Sequence, residues 1–514
     1  MKEDTNDNRA LILQSDTNGE EIAAIMSIDN TTVIDPRAVV IHFYTDEQPT
    51  FINSLNRLYE PLQYPLLFPH GTPGWSPAEE LTQMWFYRLR LLQEARFEIA
   101  GRLTNEYIVD MFSRIEEARL NYLRNNQPDA NEDEVLAADG GPRPQNIYLP
   151  TSFLGGKRWC SEQTADALAI VKAKGKPSLF VTVTTNPNWP EIKSKLRPGQ
   201  NYADIPLVVV RAFHQRVKKL KKFIREKFGR VVYMVCVTEF QKRGLPHAHI
   251  AVKVEPEPLT PAEIDKVVMA EVPRENGKLR TLVLAHMVHN HGSRCKKEDG
   301  SCQYKYPQKI TRETSIDGRG YVKYRRSELE DVNIVPYNPH LLLLMESHIN
   351  VEIASTVNLI MYLYKYFFKG GGILQKFAVV DTEGENEPVD EIRDYVKGRY
   401  LSAMEAAWRI SAYSISEKTP AVECLKIHLP GHARRFSKND SSSQLERYFL
   451  RPTVEPFLAM TYTEYHNACV FKSFTGQEVT DDMILEVEKV GCVRQVVKLR
   501  TRGEKISRIQ MMYP

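Results

Sequence analysis

Two histidines, His247 and His249, flank a single alanine in Gly244-Leu245-Pro246-His247-Ala248-His249-Ile250, inside a run from Val231 to Val252 that reads as β-strand. Strand side chains alternate between faces, so both imidazoles point the same way and can share one metal ion. Further along comes Tyr362-Leu363-Tyr364-Lys365-Tyr366-Phe367-Phe368-Lys369. On a helix, Tyr362 and Tyr366 share one face with Cβ atoms roughly 6 Å apart, while Tyr364 points away. A Lewis acid paired with phenol nucleophiles suits phosphodiester cleavage through a covalent intermediate. The metal draws charge from the phosphate, the phenolate is aimed in line with the leaving oxygen, and the aryl phosphodiester retains the bond energy.

Two imidazoles leave room for a third ligand. Glu239 and Gln241, on the incoming strand, are the nearby candidates. A hard carboxylate oxygen with two imidazoles suits Mg²⁺ or Mn²⁺ and leaves positions open for phosphate oxygens. Lys365 and Lys369 can stabilise charge on the phosphate or on the phenolate. Arg216 to Arg230 reads as a basic helix whose Lys218, Lys219, Lys221 and Lys222, with Lys242 and Arg243 before the histidines, are candidate DNA-backbone contacts. The ordinary readings are a packed strand, a core helix and a solvated helix face. Each motif alone supports those readings, and their joint occurrence reverses them.

The elements that must position these residues belong to a chain of 514 residues, 42% apolar and 26% charged, with a net charge of +3. That length should hold more than one domain. No apolar run is long enough to span a bilayer, and Met1 to Arg9 is too acidic and polar for a signal peptide. Seven scattered cysteines suit a reducing compartment. Gly175-Lys176 is followed by Pro177, which lacks the Mg²⁺-binding hydroxyl of a P-loop, so the chain carries no ATPase motif. The expected organisation is an N-terminal region over 1–80, a helical region and linker over 81–145, a mixed α/β domain over 146–375 interrupted by a polar stretch at 255–330, and a helical or mixed region over 376–514. Strands are expected at 179–185 and 231–252. Helices are expected at 164–174, 208–228, 350–368 and 388–412, with Gly370-Gly371-Gly372 ending the tyrosine helix.

Three stretches resemble the motifs of the replication-initiator region of Helitron transposases. Phe180 to Ile192 is similar to the first, Glu239 to His249 to the His-hydrophobic-His second, and Tyr362 to Gly370 to the two-tyrosine third. The resemblance extends to 62–71, 105–127, 149–156, 335–352 and 389–430. It implies an α+β fold with a ferredoxin-like HUH nuclease core, an antiparallel sheet with helices, flanked by helical extensions. It also implies rolling-circle transposition, in which single-stranded DNA at transposon ends and target is nicked and joined through 5′-phosphotyrosine. His247 and His249 take the ligand roles and Tyr362 and Tyr366 the nucleophile roles. Related viral initiators place a glutamate eight residues before the first histidine, the position of Glu239, which is preferred over Gln241. An acidic residue commonly follows the Lys-Gly of the third motif; Gly371 stands there instead.

Helitron proteins usually continue into a helicase, so either a further segment or a partner chain is expected to supply unwinding, or the element is defective. A nuclear location is expected in a eukaryotic host, with no secretion and no membrane. Family members also carry a Cys-rich segment resembling a zinc element where this chain has His286, His289, His291, Cys295 and Cys302. The cysteines are fewer than in that segment and form no C-x-x-C, so a solvated basic loop is the first reading and a Zn²⁺ site the other. His348 is matched within the resemblance but receives no role. The competing functions are a catalytically inactive single-strand DNA-binding remnant and a zinc-dependent nucleic-acid-binding regulator.

Overall fold

The computed structural model describes residues 12–15, 22–25 and 37–511 except 42–49, 127–146, 241–243, 293–294, 298, 319, 355–389, 398–399, 428–443, 450, 452–454, 474–484, 488–494 and 500–504. At its centre is a five-stranded sheet of β1 (Leu179–Thr184), β2 (Arg230–Phe240), β3 (Pro246–Glu255), β4 (Ile349–Ile353) and β5 (Ser416–Thr419). The spatial order is β4-β1-β3-β2-β5, and every neighbouring pair is antiparallel. The helices used below are α1 (Gln83–Gln93), α2 (Arg102–Asn125), α3 (Lys157–Lys174), α4 (Pro206–Lys227), α5 (Lys278–His286), α6 (Pro339–Met345) and α7 (Ala403–Ile410). The chain is therefore α+β, as its sequence implies.

One face of the sheet is the floor of the main core. Val181, Val183, Met234, Cys236, Ala248, Ile250, Val252, Ile349 and Val351 are buried there. Val209, Val210, Phe213, Val217, Leu220 and Ile224 form the stripe of α4 that covers them. Their three- and four-residue spacing is the amphipathic period, and Pro206 opens the helix where its missing N–H costs nothing. Behind α4, helix α7 packs on both α4 and α2, so the N-terminal helices share this core. The opposite face is partly roofed by α3, whose Ala167 and Ile170 bury Tyr233, Val235 and Val237 of β2.

The expected helix over 350–368 fails at its start, because Ile349–Ile353 is strand β4. Its β-branched residues alternate, with Ile349 and Val351 in the core, and it pairs with β1 from Ile349↔Val183 to Ile353↔Leu179. The expected single run from 231 to 252 is two strands joined through Gly244, whose φ of 78° lies in the left-handed region that glycine tolerates. Residues 388–412 contain two helices, Glu391–Lys397 and α7, instead of one.

Ahead of the sheet, the Pro-punctuated stretch after Leu58 is anchored by a buried carboxylate. Glu60 accepts from the Trp75 N–H (2.9 Å), the Tyr87 hydroxyl (3.0 Å), Arg90 Nη1 (2.6 Å), the Tyr107 hydroxyl (2.7 Å) and Arg114 Nη1 (3.4 Å). Only glycine fits at position 74, where a Cβ would lie 2.3 Å from Glu60 Oε1. Two guanidiniums and two phenols thus depend on one acid. Glu60→Ala should cost about 3–5 kcal/mol of stability, because it leaves buried cations uncompensated. Urea denaturation of the two proteins checks this, and a loss below about 1 kcal/mol would refute the anchoring role.

Candidate metal and nuclease site

The pairing of β1, β3 and β2 builds the site row by row. His247 stands opposite Thr184 on one side and Glu239 on the other; His249 stands opposite Thr182 and Val237. Directly opposed residues in antiparallel strands project to the same face, so these six side chains share the face away from α4. His247 and His249 are 5% and 4% exposed, too buried to stay as they are without polar partners.

The partners are threonines. Thr184 Oγ1 lies 3.0 Å from His247 Nδ1, and Thr182 Oγ1 lies 3.0 Å from His249 Nδ1. With each Nδ1–H donating to its hydroxyl, both rings keep an Nε2 lone pair for a ligand, the arrangement that orients metal-binding histidines. Glu239 Oε1 lies 3.2 Å from His249 Nε2. Phe180 stacks on the His249 ring, with centroids 5.9 Å apart and planes 20° from parallel. Glu239 and His249 thus form a close carboxylate–imidazole pair, and His247 stands two residues along on the same buried face. These are the residue types of a hard divalent-cation site with positions open for oxygen ligands, though among the described residues only the Cys/His group of the polar insertion has all its ligand atoms within 4.8 Å of one another. Gln241, Lys242, Arg243, Tyr362, Lys365, Tyr366 and Lys369 lie outside the described residues. Thr182 and Thr184 were missed as site residues. Their signal was a Thr-x-Thr in one strand matching the His-x-His of another.

The basic row divides. Lys218, Lys219 and Lys222 are exposed on α4, but α4 covers the sheet face opposite the histidines. Lys221 turns inward, its ammonium 2.6 Å from Glu417 on edge strand β5. A strand held at the histidines therefore does not meet this row directly.

Four of the five residues of the polar insertion come together. His289, His291, Cys295 and Cys302 place one ligand atom each within 4.8 Å of the others. Cys302 Sγ is 3.4 Å from His289 Nε2, Cys295 Sγ is 3.8 Å from His291 Nδ1, and Tyr306 stacks on His289 at 4.4 Å. A tetrahedral zinc with bonds of about 2.0–2.3 Å sets its donors roughly 3.3–3.8 Å apart, so a two-Cys two-His set of this size fits zinc. His286 stands outside the group; as the last residue of α5 it contributes its carbonyl, which accepts from His348 Nδ1 at 2.8 Å.

Burial first, then the neighbouring His249 and His348, lowers the His247 pKa to about 3. The folded ring stays neutral over a range in which the unfolded chain takes up a proton. Its contribution to stability is complete above the unfolded pKa of about 6.5 and is lost as pH falls from there toward 3. Metal-free protein should lose stability by up to about 1.4 kcal/mol per pH unit through this one proton below pH 6.5. Unfolding measured from pH 7 to 4.5 should show a shallower decline for His247→Asn. Equal slopes would show that His247 is not the group excluded from protonation.

Residues 83–252 match the family described as the Helitron helicase-like domain at the N-terminus. The matched span runs from α1 to β3 and encloses Glu239, His247, His249 and both threonines. No curated protein matches the chain. Residues 83–252 are thus a Helitron-like N-terminal domain, and over that span the chain is a Helitron-like protein.

Proposed function

We propose that this chain is a metal-dependent endonuclease and strand transferase for single-stranded DNA, the nicking component of a Helitron-type rolling-circle transposon, with an HUH nuclease core built on the five-stranded sheet. The observation that carries the reading is the pair of cross-strand rows, Thr184–His247–Glu239 and Thr182–His249, in which each imidazole meets a threonine hydroxyl at Nδ1, leaving Nε2 available, with Glu239 3.2 Å from that of His249. A metal patch buried on a rigid sheet suits chemistry that needs precise placement of a phosphate.

A divalent cation held by His247, His249 and Glu239 would draw charge from the scissile phosphate and steady its oxygens. The chain's own groups do the rest. Thr182 and Thr184 keep the rings in the ligating tautomer, and Phe180 walls one side. A phenolate, from Tyr362 or Tyr366, attacks phosphorus; the P–O3′ bond breaks, and the 3′ oxygen leaves and is protonated. The 5′ phosphate is then esterified to tyrosine. Attack by a 3′ hydroxyl on that ester restores a phosphodiester and frees the phenol, with no ATP consumed. Two tyrosines let donor and target be held together, each freed 3′ end attacking the other's ester. Lys365 and Lys369 are the cations assigned to the phosphate and the phenolate. Unwinding falls to a helicase in another chain or segment. The Cys/His group is a structural zinc module, and in a eukaryotic host the protein works in the nucleus.

His247→Ala and His249→Ala should each reduce Mn²⁺-dependent cleavage of a labelled single strand by at least 100-fold while DNA binding changes little. Full cleavage in excess chelator would refute the metal site. Tyr362→Phe/Tyr366→Phe together should erase the covalent adduct, and either alone should spare nicking in part but impair transfer. An adduct that survives the double change, or DNA held through its 3′ end, would sink the tyrosine mechanism. DNA binding with no cleavage by the unaltered chain would instead favour an inactive single-strand-binding protein. Metal analysis of the purified chain should find one zinc, lost in Cys302→Ser; zinc-free protein with intact folding would refute the module.

A further inference from the structure

His348 is a half-buried imidazole near the site that the proposed chemistry leaves unused, and it joins two parts of the molecule. It immediately precedes β4, and its main-chain carbonyl accepts from the Thr184 N–H at 3.0 Å. Continuing the β4–β1 register past Ile349↔Val183 sets it opposite Thr184, so four residues line up across the strands: His348, Thr184, His247 and Glu239. On the other side its ring is tied to the Cys/His module, since Nδ1 donates to the carbonyl of His286 at 2.8 Å. His286 ends α5, and the chain then runs directly into the module through Met287, Val288 and His289. That run is clamped to the segment leading to α6 and β4. The Val335 N–H donates to the Met287 carbonyl at 2.7 Å and the His289 N–H to the Asn333 carbonyl at 2.8 Å, with Val288 bridged to Ile334.

A continuous path therefore runs from His289 back to His286, across the hydrogen bond to His348, from the His348 carbonyl to the Thr184 N–H, and from the Thr184 hydroxyl to His247 Nδ1. We propose that His348 is a positioning residue of the nuclease site, through which the zinc-loaded Cys/His module fixes Thr184 and hence the ring of the metal ligand His247. The inference rests on the function proposed above. In physical terms, a metal-ligating histidine is only as well aimed as the group holding its other nitrogen, and loss of such outer support commonly weakens metal affinity by about 10–100-fold. Zinc at the module would close the loop between His289 and Cys302 and stiffen the end of α5. The His286 carbonyl then becomes a fixed acceptor for His348. Without zinc, the same carbonyl is steadied only by the main-chain clamp between 287–289 and 333–335.

The test is done on the full chain, purified with zinc. Zinc is counted by mass spectrometry, and Mn²⁺ is titrated while the free ion is followed by electron paramagnetic resonance. His247→Ala/His249→Ala identifies the Mn²⁺ signal of the nuclease site. His348→Ala should keep its zinc and bind Mn²⁺ about tenfold more weakly. His348→Asn, whose amide can still donate to the His286 carbonyl, should recover most of that loss. Cys302→Ser should lose zinc and weaken Mn²⁺ to a similar degree, and Cys302→Ser/His348→Ala should be no worse than either alone, because both act on one path. Mn²⁺ affinity within twofold of the unaltered chain for His348→Ala, or for zinc-free Cys302→Ser, overturns the coupling, as do effects that multiply in the double variant. Should Cys302→Ser not fold, the comparison of His348→Ala with His348→Asn decides; should His348→Ala not fold, His348→Asn against zinc-free protein decides. If the unaltered chain binds no Mn²⁺ through His247 and His249, the functional reading itself fails, whereas normal binding that His348→Ala leaves unmoved sinks the coupling alone.

Discussion

The register between β1, β3 and β2 is the constraint on which the site rests. Backbone hydrogen bonds set Thr184 and Thr182 opposite His247 and His249, and they set Glu239 across from His247. A slip of one residue would carry the histidines to the face filled by α4 and bring Ala248 and Ile250 to the polar side. The register is held by what that slip would cost. Ala248, Ile250, Val252 and Val254 interdigitate with the α4 stripe, and turning them outward would empty the main core. The same apolar packing that makes the sheet stable thus aims the imidazoles. The polar patch is small and contributes little of that stability.

The chemistry-bearing strand was the most legible part of the sequence. His-x-His within a β-rich run has one geometric meaning, and the fold honours it. Helix α4 was equally plain, because its apolar residues recur at helical spacing over 22 residues. What failed to show was anything set by partners distant in sequence. Ile349–Ile353 carries the residues of a strand but was absorbed into the helical pattern that follows it, and only its pairing with β1 settles the matter. Lys221 looks like its neighbours on the helix, yet faces Glu417 from a strand almost two hundred positions away. The threonines lay inside a recognised motif, but their role exists only across the sheet. His286 counted as a ligand by type and spacing, and the fold uses its carbonyl.

The two candidate metal centres differ in kind. Cys295, Cys302, His289 and His291 make a closed set of four, with soft thiolates and no position left over, which is how structural zinc is held. His247, His249 and Glu239 offer three donors at most, so a cation held by them would keep positions open for oxygen ligands. The two sets differ in ligand chemistry, since thiolates favour zinc whereas a carboxylate with imidazoles accepts Mg²⁺ or Mn²⁺.

The carboxylate of Glu60 bears on where this protein can be divided. The family match begins at Gln83, inside the cage that Glu60 closes, for Tyr87, Arg90, Tyr107 and Arg114 all lie beyond that boundary while their common acceptor lies before it. The match ends within β3, ahead of both edge strands β4 and β5. A recombinant piece cut at those limits would carry two stranded guanidiniums in an apolar interior and a sheet with both flanks open to other chains. The unit that recurs among sequences is smaller than the unit that can fold, and an expression fragment should begin ahead of the Pro-rich stretch that delivers Glu60 and extend past β5.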